Sequence, residues 1–94
     1  MIFLVVSSPA LHRPSEVVEQ RRKFWPWAQK QKDSGFAKEF YARTGRGGVG
    51  IFDVDSNETL HRLLNEWSEI MPATFEIFPL LDTAQITAFL GSND

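Results

Sequence analysis

The stretch TGRGGVGIFDVDSN, residues 44–57, decides how the fold of this chain is interpreted. Gly45, Gly47 and Gly50 stand in the order G-x-G-x-x-G, the spelling of a dinucleotide-binding fingerprint. In that fingerprint the glycines follow a strand and open a helix, whose N-terminus meets the pyrophosphate. Here they lead into a second strand pattern, VGIFDV, and a helical pattern begins only after Asp55. The glycines therefore predict a hairpin turn, and we expect no NAD or FAD site.

The same glycines also suggest a binding site. In a hairpin, Gly45, Gly47 and Gly48 would supply the positive φ angles that tight turns need. Gly50 lies deeper, inside the strand, where a glycine marks a bulge or a close approach to the backbone. In a regular strand Gly48, Gly50 and Phe52 share one face, and two side chains are missing from it. We therefore predict room for a ligand there and assign these three residues to substrate binding.

Outward from the hairpin, hydrophobic periodicity predicts alternating strands and helices. Residues 2–7 form a short apolar run typical of a buried central strand. Residues 36–43 and 74–80 alternate apolar and polar side chains, as strands do. Leu60, Leu63, Leu64 and Trp67 recur at helical spacing. The predicted elements are strand 2–7, helix 16–34, strand 36–43, strand 49–54, helix 55–67, strand 74–80 and helix 82–90.

This order predicts an α+β fold. The sequence β-α-β-β-α-β is that of a ferredoxin-like unit, in which a four-stranded antiparallel sheet carries its helices on one face. Several strands are also apolar on their other face, which must be covered. A second copy of the chain, placed sheet to sheet, is the simplest cover. We therefore predict a homodimer or a higher homo-oligomer.

Individual residues mark where the elements begin and end. Pro26 falls inside the first helix and predicts either a kink near Trp25 or a new helix that begins at the proline. Gly35 is a natural C-terminal stop. Asp55 or Ser56 can cap the second predicted helix. The third is predicted to begin after a cap at position 82 and to end before the glycine at position 91. The proline at position 79 suggests an edge strand or a strand terminus.

The bulk composition narrows the function classes. The 94 residues allow one domain, residues 1–94, and contain no cysteine, which excludes disulfides and cysteine nucleophiles. Two histidines are too few for a histidine-rich zinc site, so we expect no metal. A net charge of −2 gives no general attraction to nucleic acid. The apolar start MIFLVV is too short for a signal peptide or a membrane span. We expect a cytoplasmic protein without nucleic-acid or membrane partners.

Five polar residues are candidate catalytic groups. Arg21 falls on the apolar stripe of the first helix, where a guanidinium facing a cavity could hold a substrate carboxylate bidentately. Glu39, Tyr41 and Arg43 form one polar row on the second strand. There Glu39 could act as a base, with Tyr41 or Arg43 donating to an enolate oxygen. His61 is expected to lie half-buried near the sheet, where it could shuttle a proton.

Each candidate also has a structural interpretation. Arg21 could pack its stem and extend its charged head to solvent. The polar row on the second strand could be the exposed face of an edge strand, since edge strands commonly carry charge. His61 could be a packing histidine. Trp25 and Trp27 cannot both lie on one ideal face of a helix kinked at Pro26, so we expect one of them at a pocket mouth or a subunit contact. We assign both to substrate binding.

Two segments of the chain resemble muconolactone Δ-isomerases. GIFDVDSNETLHRLL, residues 50–64, is similar to a family segment that reads roughly S-[IV]-F-D-V-x-S-x-x-x-L-H-x-x-L. AQKQKDSG, residues 28–35, is similar to the family's A-Q-x-L-Q-x-x-G. The matching residues of the longer segment are Phe52, Asp53, Val54, Ser56, Leu60 and His61. The resemblance implies a ferredoxin-like subunit that pairs into a dimeric α/β barrel. It also implies an intramolecular proton shift in a lactone, without metal or organic cofactor.

Our leading hypothesis is therefore a small cofactor-independent isomerase acting on a lactone or another enolisable small molecule, in aromatic catabolism or specialised metabolism. Phe24 and Trp25 stand where the family carries charged residues, and this difference favours two alternatives. One is a non-catalytic dimeric domain that binds a ligand or a partner. The other is a cofactor-free monooxygenase or cyclase, since the same shape hosts those reactions.

Overall fold

The chain folds as alternating strands and helices, and a computed structural model describes residues 1–92. A short 3₁₀ turn, Pro14–Val17, precedes the first helix. The strands and helices are, in chain order, β1 (Ile2–Pro9), α1 (Val18–Ser34), β2 (Ala37–Ala42), β3 (Gly48–Asp53), α2 (Asn57–Ile70), β4 (Ala73–Leu80) and α3 (Thr83–Gly91). This is the predicted order of elements. The ferredoxin-like α+β fold with a short C-terminal helix is confirmed.

The four strands form one antiparallel sheet in the order β2-β3-β1-β4. The continuous apolar run of β1 occupies a central position, as predicted. β4 pairs with β1 alone, so Pro79 lies on an edge strand, where the missing backbone donor is tolerated. Phe3 and Val5 are buried on the face of β1 that α1 and α2 cover. The helices therefore share one face of the sheet, as expected.

Most of the local signals for helix ends are confirmed. Gly35 ends α1 in the left-handed conformation, with a φ of 87°. Ser56 caps α2, because its hydroxyl accepts the Thr59 N–H at 3.1 Å. Asp82 caps α3 in the same way. The restart at Pro26 is wrong, since α1 continues through this residue to its end. The contacts that α1 makes along the sheet outweigh the local cost of the proline.

A bulge in β2 overturns part of the predicted alternation. The register of β2 against β3 shifts between Ala37 and Glu39. As a result Ala37 and Phe40 both face the core, at 4% and 8% exposure. Strict alternation over residues 36–43 would place Phe36 on the same face as Phe40, but Phe36 lies half-buried at the edge of the core. An extra residue in one strand shifts the alternation of side chains between the two faces of the sheet, which a strict period of two cannot predict.

The core between the sheet and the helices is mainly aromatic. Four of its rings are buried: Phe24, Phe40, Phe52 and Trp67. The ring centroids of Phe24 and Trp67 are 4.9 Å apart, and those of Phe40 and Phe52 are 5.4 Å apart. A Cβ added at Gly50 would lie 2.7 Å from the Phe52 ring and 2.9 Å from the Phe40 ring. These rings fill the space that Gly50 leaves. The prediction of ligand room at Gly50 and Phe52 is therefore wrong.

The sheet face away from α1 and α2 is apolar across its centre. The strand register places Leu4 of β1 between Phe78 of β4 and Ile51 of β3, and Val6 beside Val49 in the next row. These five side chains are half-buried or exposed, and Phe78 is 44% exposed. We call this surface, Leu4, Val6, Val49, Ile51 and Phe78, the open sheet face.

α3 extends the molecule beyond this sheet. All of its residues are exposed, including the large side chains of Ile86, Phe89 and Leu90. Gly91 is its last residue rather than the residue beyond it, so the predicted end is wrong by one position. The molecule measures 56 × 24 × 20 Å along its principal axes. Among residues 1–92, none of the helices combines the length and apolar character needed to cross a membrane.

Candidate functional site

A pocket of about 140 Å³ opens between the first half of α1 and the turn that joins β2 to β3. Its apolar wall consists mainly of Val17, Phe24, Trp25, Trp67 and Met71. Phe24 and Trp67 belong to the buried core, whereas Trp25 is 43% exposed at the mouth. The rings of Phe24 and Trp25 meet edge to face, with centroids 5.1 Å apart. The pocket is thus a shallow extension of the aromatic core to the surface.

The floor of the pocket is a close contact between β1 and the β2–β3 turn. The Ser7 hydroxyl, which is buried, accepts the Gly48 N–H at 2.8 Å and donates to the Gly48 carbonyl at 3.2 Å. Gly47 has a φ of 93°, and a Cβ there would lie 2.5 Å from the Ser7 carbonyl oxygen. Only glycine meets both conditions at position 47. The backbone at position 47 therefore lies closer to the Ser7 carbonyl than a residue with a side chain would permit.

Three arginines line the pocket. The Arg43 guanidinium donates to the Ser7 carbonyl at 3.0 Å, and the Arg46 guanidinium donates to the Ala10 carbonyl at 3.2 Å. Arg21 makes neither a hydrogen bond nor an ion pair within the described part of the chain. Backbone carbonyls at the end of β1 and just after it therefore hold Arg43 and Arg46 in place, whereas all the guanidinium donors of Arg21 are available.

No carboxylate lines this pocket, and none of its three arginines forms an ion pair within residues 1–92. Some basic side chains outside the pocket are paired: Arg22 with Glu19 and Arg62 with Glu66, each at 2.8 Å. The whole chain carries a net charge of −2. A concentration of uncompensated positive charge in an acidic protein attracts anions to that point of the surface.

The structure brings together four of the residues predicted for the site. Arg21, Trp25, Arg43 and Gly48 all line the pocket. Gly48 does so without a positive φ, because Gly45 and Gly47 alone make the turn, so the φ prediction for Gly48 is wrong. A Cβ at Gly48 would lie 3.3 Å from the Trp67 ring. Its missing side chain leaves room for that ring.

The other predicted residues lie elsewhere. Tyr41 is 57% exposed on the same face of the sheet as its cross-strand partner Val49. Trp27 is half-buried between α1 and α2 and donates its indole N–H to Glu66 at 3.1 Å. Gly50 and Phe52 belong to the core described above. None of these four residues lines the pocket.

Glu39 is held by its neighbours. The Lys32 ammonium, 2.8 Å away, donates a hydrogen bond that lowers the pKa of the Glu39 carboxyl, and the Phe40 N–H lowers it further. A carboxylate with a lowered pKa is a weaker proton acceptor. Glu39 is also outside the pocket.

His61 is exposed to solvent, so its predicted half-buried position beside the sheet is wrong. The buried stripe of α2 contains Leu60, Leu63, Leu64 and Trp67. Successive residues of an α-helix are rotated by about 100°, and this rotation carries His61 from the edge of the stripe to the solvent side.

The pocket also contains three residues that were not predicted as site residues: Arg46, Ser7 and Gly47. Arg46 could have been predicted as a pocket residue, because it lies three residues after Arg43 in the same glycine-rich turn. Ser7 could not, since its role depends on the pairing of β1 with β3. The pocket also borders a second cavity of about 300 Å³ and shares Arg46 with it, but that cavity contains the Glu16 carboxylate.

Comparison with known proteins places the chain in a family. Among residues 1–92, no three histidine, cysteine or carboxylate side chains come together as metal ligands would. No curated protein matches the chain. Residues 1–93 match the family described as a domain of unknown function, DUF3303, and the chain belongs to that family.

Proposed function

We propose that this protein binds a small organic anion in the pocket between α1 and the β2–β3 turn. The observation that carries the proposal is the set of three arginines, Arg21, Arg43 and Arg46, on a pocket that contains no carboxylate. Unpaired guanidinium groups beside an apolar wall suit a ligand with one charged end and an apolar body. Because two of the arginines are already held by backbone carbonyls, little side-chain entropy is lost when the ligand binds.

Binding is better supported than isomerisation. A proton shift in a lactone needs a base at the reacting carbon. Glu39, Tyr41 and His61 lie outside the pocket, and the Ser7 hydroxyl makes both of its hydrogen bonds to Gly48. The DUF3303 match carries no link to the muconolactone isomerases, and the isomerase, monooxygenase and cyclase hypotheses stay predictions.

A titration followed by tryptophan fluorescence tests the proposal, because Trp25 and Trp67 line the pocket. Hexanoate and benzoate are the anionic probes, and benzyl alcohol is the neutral control. We expect both anions to bind and the alcohol not to. Arg21→Met should weaken anion binding by roughly 1.5–3 kcal/mol, the range for a hydrogen bond to a charged group.

The matched control is Arg22→Met, since Arg22 is exposed and pairs with Glu19 away from the pocket. This variant should bind like the wild type. Equal binding of the alcohol and the anions, or unchanged binding by Arg21→Met, would contradict the proposal.

We further infer that two copies of the chain associate through the open sheet face. The face lies on three neighbouring strands, β3, β1 and β4, and Glu39 and Glu76 lie beside it on the same side of the sheet. Exposed apolar patches with a polar rim are typical of interaction surfaces in soluble proteins. The exposed apolar side chains of α3 add to the surface that a second copy would bury.

Sedimentation of two neighbouring variants tests the dimer. Phe78 lies on the open sheet face, and Ile77, the preceding residue of β4, pairs with Val5 on the opposite face. Both side chains are similarly exposed, at 44% and 45%. We expect a dimeric wild type, a monomeric Phe78→Glu and a dimeric Ile77→Glu. A monomeric wild type at micromolar concentration would overturn the inference.

A further inference from the structure

We infer that the ligand of the arginine pocket is a single-ring aromatic carboxylate of about the size of benzoate. This inference rests on the proposed function, because it names the chemical class of ligand for that same site. Three properties of the pocket carry it: its volume, its walls and the state of its polar groups.

The volume selects a single ring. The pocket measures about 140 Å³. An apolar cavity of about 150 Å³ in an engineered protein holds one benzene molecule. A six-membered ring therefore matches this pocket in volume, with its substituent at the mouth.

The walls favour an aromatic body over an alkyl one. Trp25 contacts Phe24 edge to face and is 43% exposed, whereas Phe24 and Trp67 are 4% and 2% exposed, so Trp25 is the pocket ring with area available to a ligand. Aromatic pairs in such arrangements are more stable than burial of their area alone would make them. A flat ring can add one further edge or face contact, whereas a saturated ring of the same size cannot.

The polar side chains of the pocket offer a ligand hydroxyl mainly hydrogen-bond donors. Ser7 is its one lining residue with a side-chain hydroxyl, and that hydroxyl already donates to and accepts from Gly48. The remaining polar side chains there are guanidiniums, which cannot accept a hydrogen bond. A ligand hydroxyl could accept a hydrogen bond from a guanidinium, but these side chains offer no acceptor for its own proton. The body of the ligand is therefore apolar.

The arginines provide the binding site for the anionic group. Arg43 and Arg46 each commit a donor to a backbone carbonyl, at 3.0 and 3.2 Å. Arg21 keeps its full fork of donors. One free guanidinium fork matches one carboxylate in a bidentate pair. The two held arginines supply additional positive charge around it.

Calorimetric titration with four probes tests the inference: benzoate, cyclohexanecarboxylate, hexanoate and phenyl phosphate. We expect benzoate to bind about 3- to 10-fold more tightly than cyclohexanecarboxylate, the gain of an aromatic pair. Phenyl phosphate should bind no more tightly than benzoate. In Trp25→Leu, benzoate should lose this advantage while cyclohexanecarboxylate binds as before. The control Tyr41→Leu removes an exposed aromatic ring outside the pocket and should change neither affinity.

The outcomes separate this inference from the proposed function. If cyclohexanecarboxylate or hexanoate binds as tightly as benzoate and Arg21→Met weakens all of them, anion binding stands and the aromatic ligand is wrong. If phenyl phosphate binds more than 10-fold more tightly than benzoate, the carboxylate is wrong. If none of the four probes binds, both the proposed function and the inference fail.

Discussion

The Ser7 hydroxyl makes two hydrogen bonds to the backbone of Gly48, accepting from its N–H at 2.8 Å and donating to its carbonyl at 3.2 Å. The backbone ladder between β1 and β3 ends one position earlier, at Val6 and Val49. One buried side chain thus extends the strand pairing by a residue. It also fixes the floor of the pocket beneath the arginines.

Ser7→Ala should destabilise the protein by about 1–3 kcal/mol, because the buried Gly48 N–H would lose its partner. Urea denaturation followed by circular dichroism measures the change. Ser8→Ala is the control, since Ser8 is exposed and its hydroxyl makes no hydrogen bond within residues 1–92, only its carbonyl accepting one from the Thr74 hydroxyl. That variant should stay within about 0.5 kcal/mol of the wild type. Equal stability of the two variants would show that the Ser7 hydroxyl does not stabilise the fold.

Gly50→Ala should destabilise the protein by about 1–3 kcal/mol, the usual cost of an extra methyl group in a packed core. The new Cβ would lie 2.7 and 2.9 Å from the rings of Phe52 and Phe40. These rings cannot move freely, because Trp67 packs against both of them. Thermal denaturation of the variant measures the effect.

Two further variants complete that test. Combining Gly50→Ala with Phe40→Leu should cost less than the sum of the single changes, because the smaller side chain removes the clash. Gly91→Ala is the control, since a Cβ there would meet nothing within 4 Å. It should be neutral or slightly stabilising. A Gly50→Ala protein as stable as the wild type would contradict the overpacking argument.

Pro26→Ala should stabilise the protein by about 1–2 kcal/mol. A proline inside a helix costs about 3 kcal/mol, partly offset by the entropy that proline removes from the unfolded chain. Pro26 is exposed within α1, so the change opens no cavity in the core. The urea midpoint should rise. Pro14→Ala, at the first position of the 3₁₀ turn, should show no such gain, because proline suits that position.

Lys32 and Glu39 should add stability that depends on pH. The hydrogen bond from the Lys32 ammonium, followed by that from the Phe40 N–H, lowers the pKa of the Glu39 carboxyl in the folded state. The folded state therefore binds fewer protons than the unfolded state in the acidic range. The contribution is present above the unfolded pKa and is lost as the pH falls through the folded pKa. Both side chains are partly exposed, so the effect is small.

Carboxyl NMR of Glu39 checks this assignment directly. Lys32→Met should raise the pKa of Glu39 towards its ordinary value, because the first cause of the lowering is removed. Lys30→Met is the control, since Lys30 is exposed and Glu39 pairs with Lys32 instead. An unchanged pKa in Lys32→Met would mean that the Phe40 N–H alone accounts for the lowering.

The amino-acid sequence by itself determined the order of the elements and most of their ends. The apolar run of β1, the helical spacing of Leu60 and Leu64, and the stop at Gly35 act over a few neighbouring residues. The turn after β2 could also be predicted, because glycine readily adopts the positive φ angles that Gly45 and Gly47 take there. Such local preferences are expressed in the sequence at the position where they act.

Only the tertiary structure decided which side chains meet. The bulge beside Ala37 moved Phe36 from the core to its edge, and two rings closed the space at Gly50. Arg21 and Arg43 converge on one pocket although they are far apart in the chain and follow different periodicities. Contacts between distant segments set the strand register, the ring packing and the approach of α1 to the turn. No local sequence pattern contains those contacts.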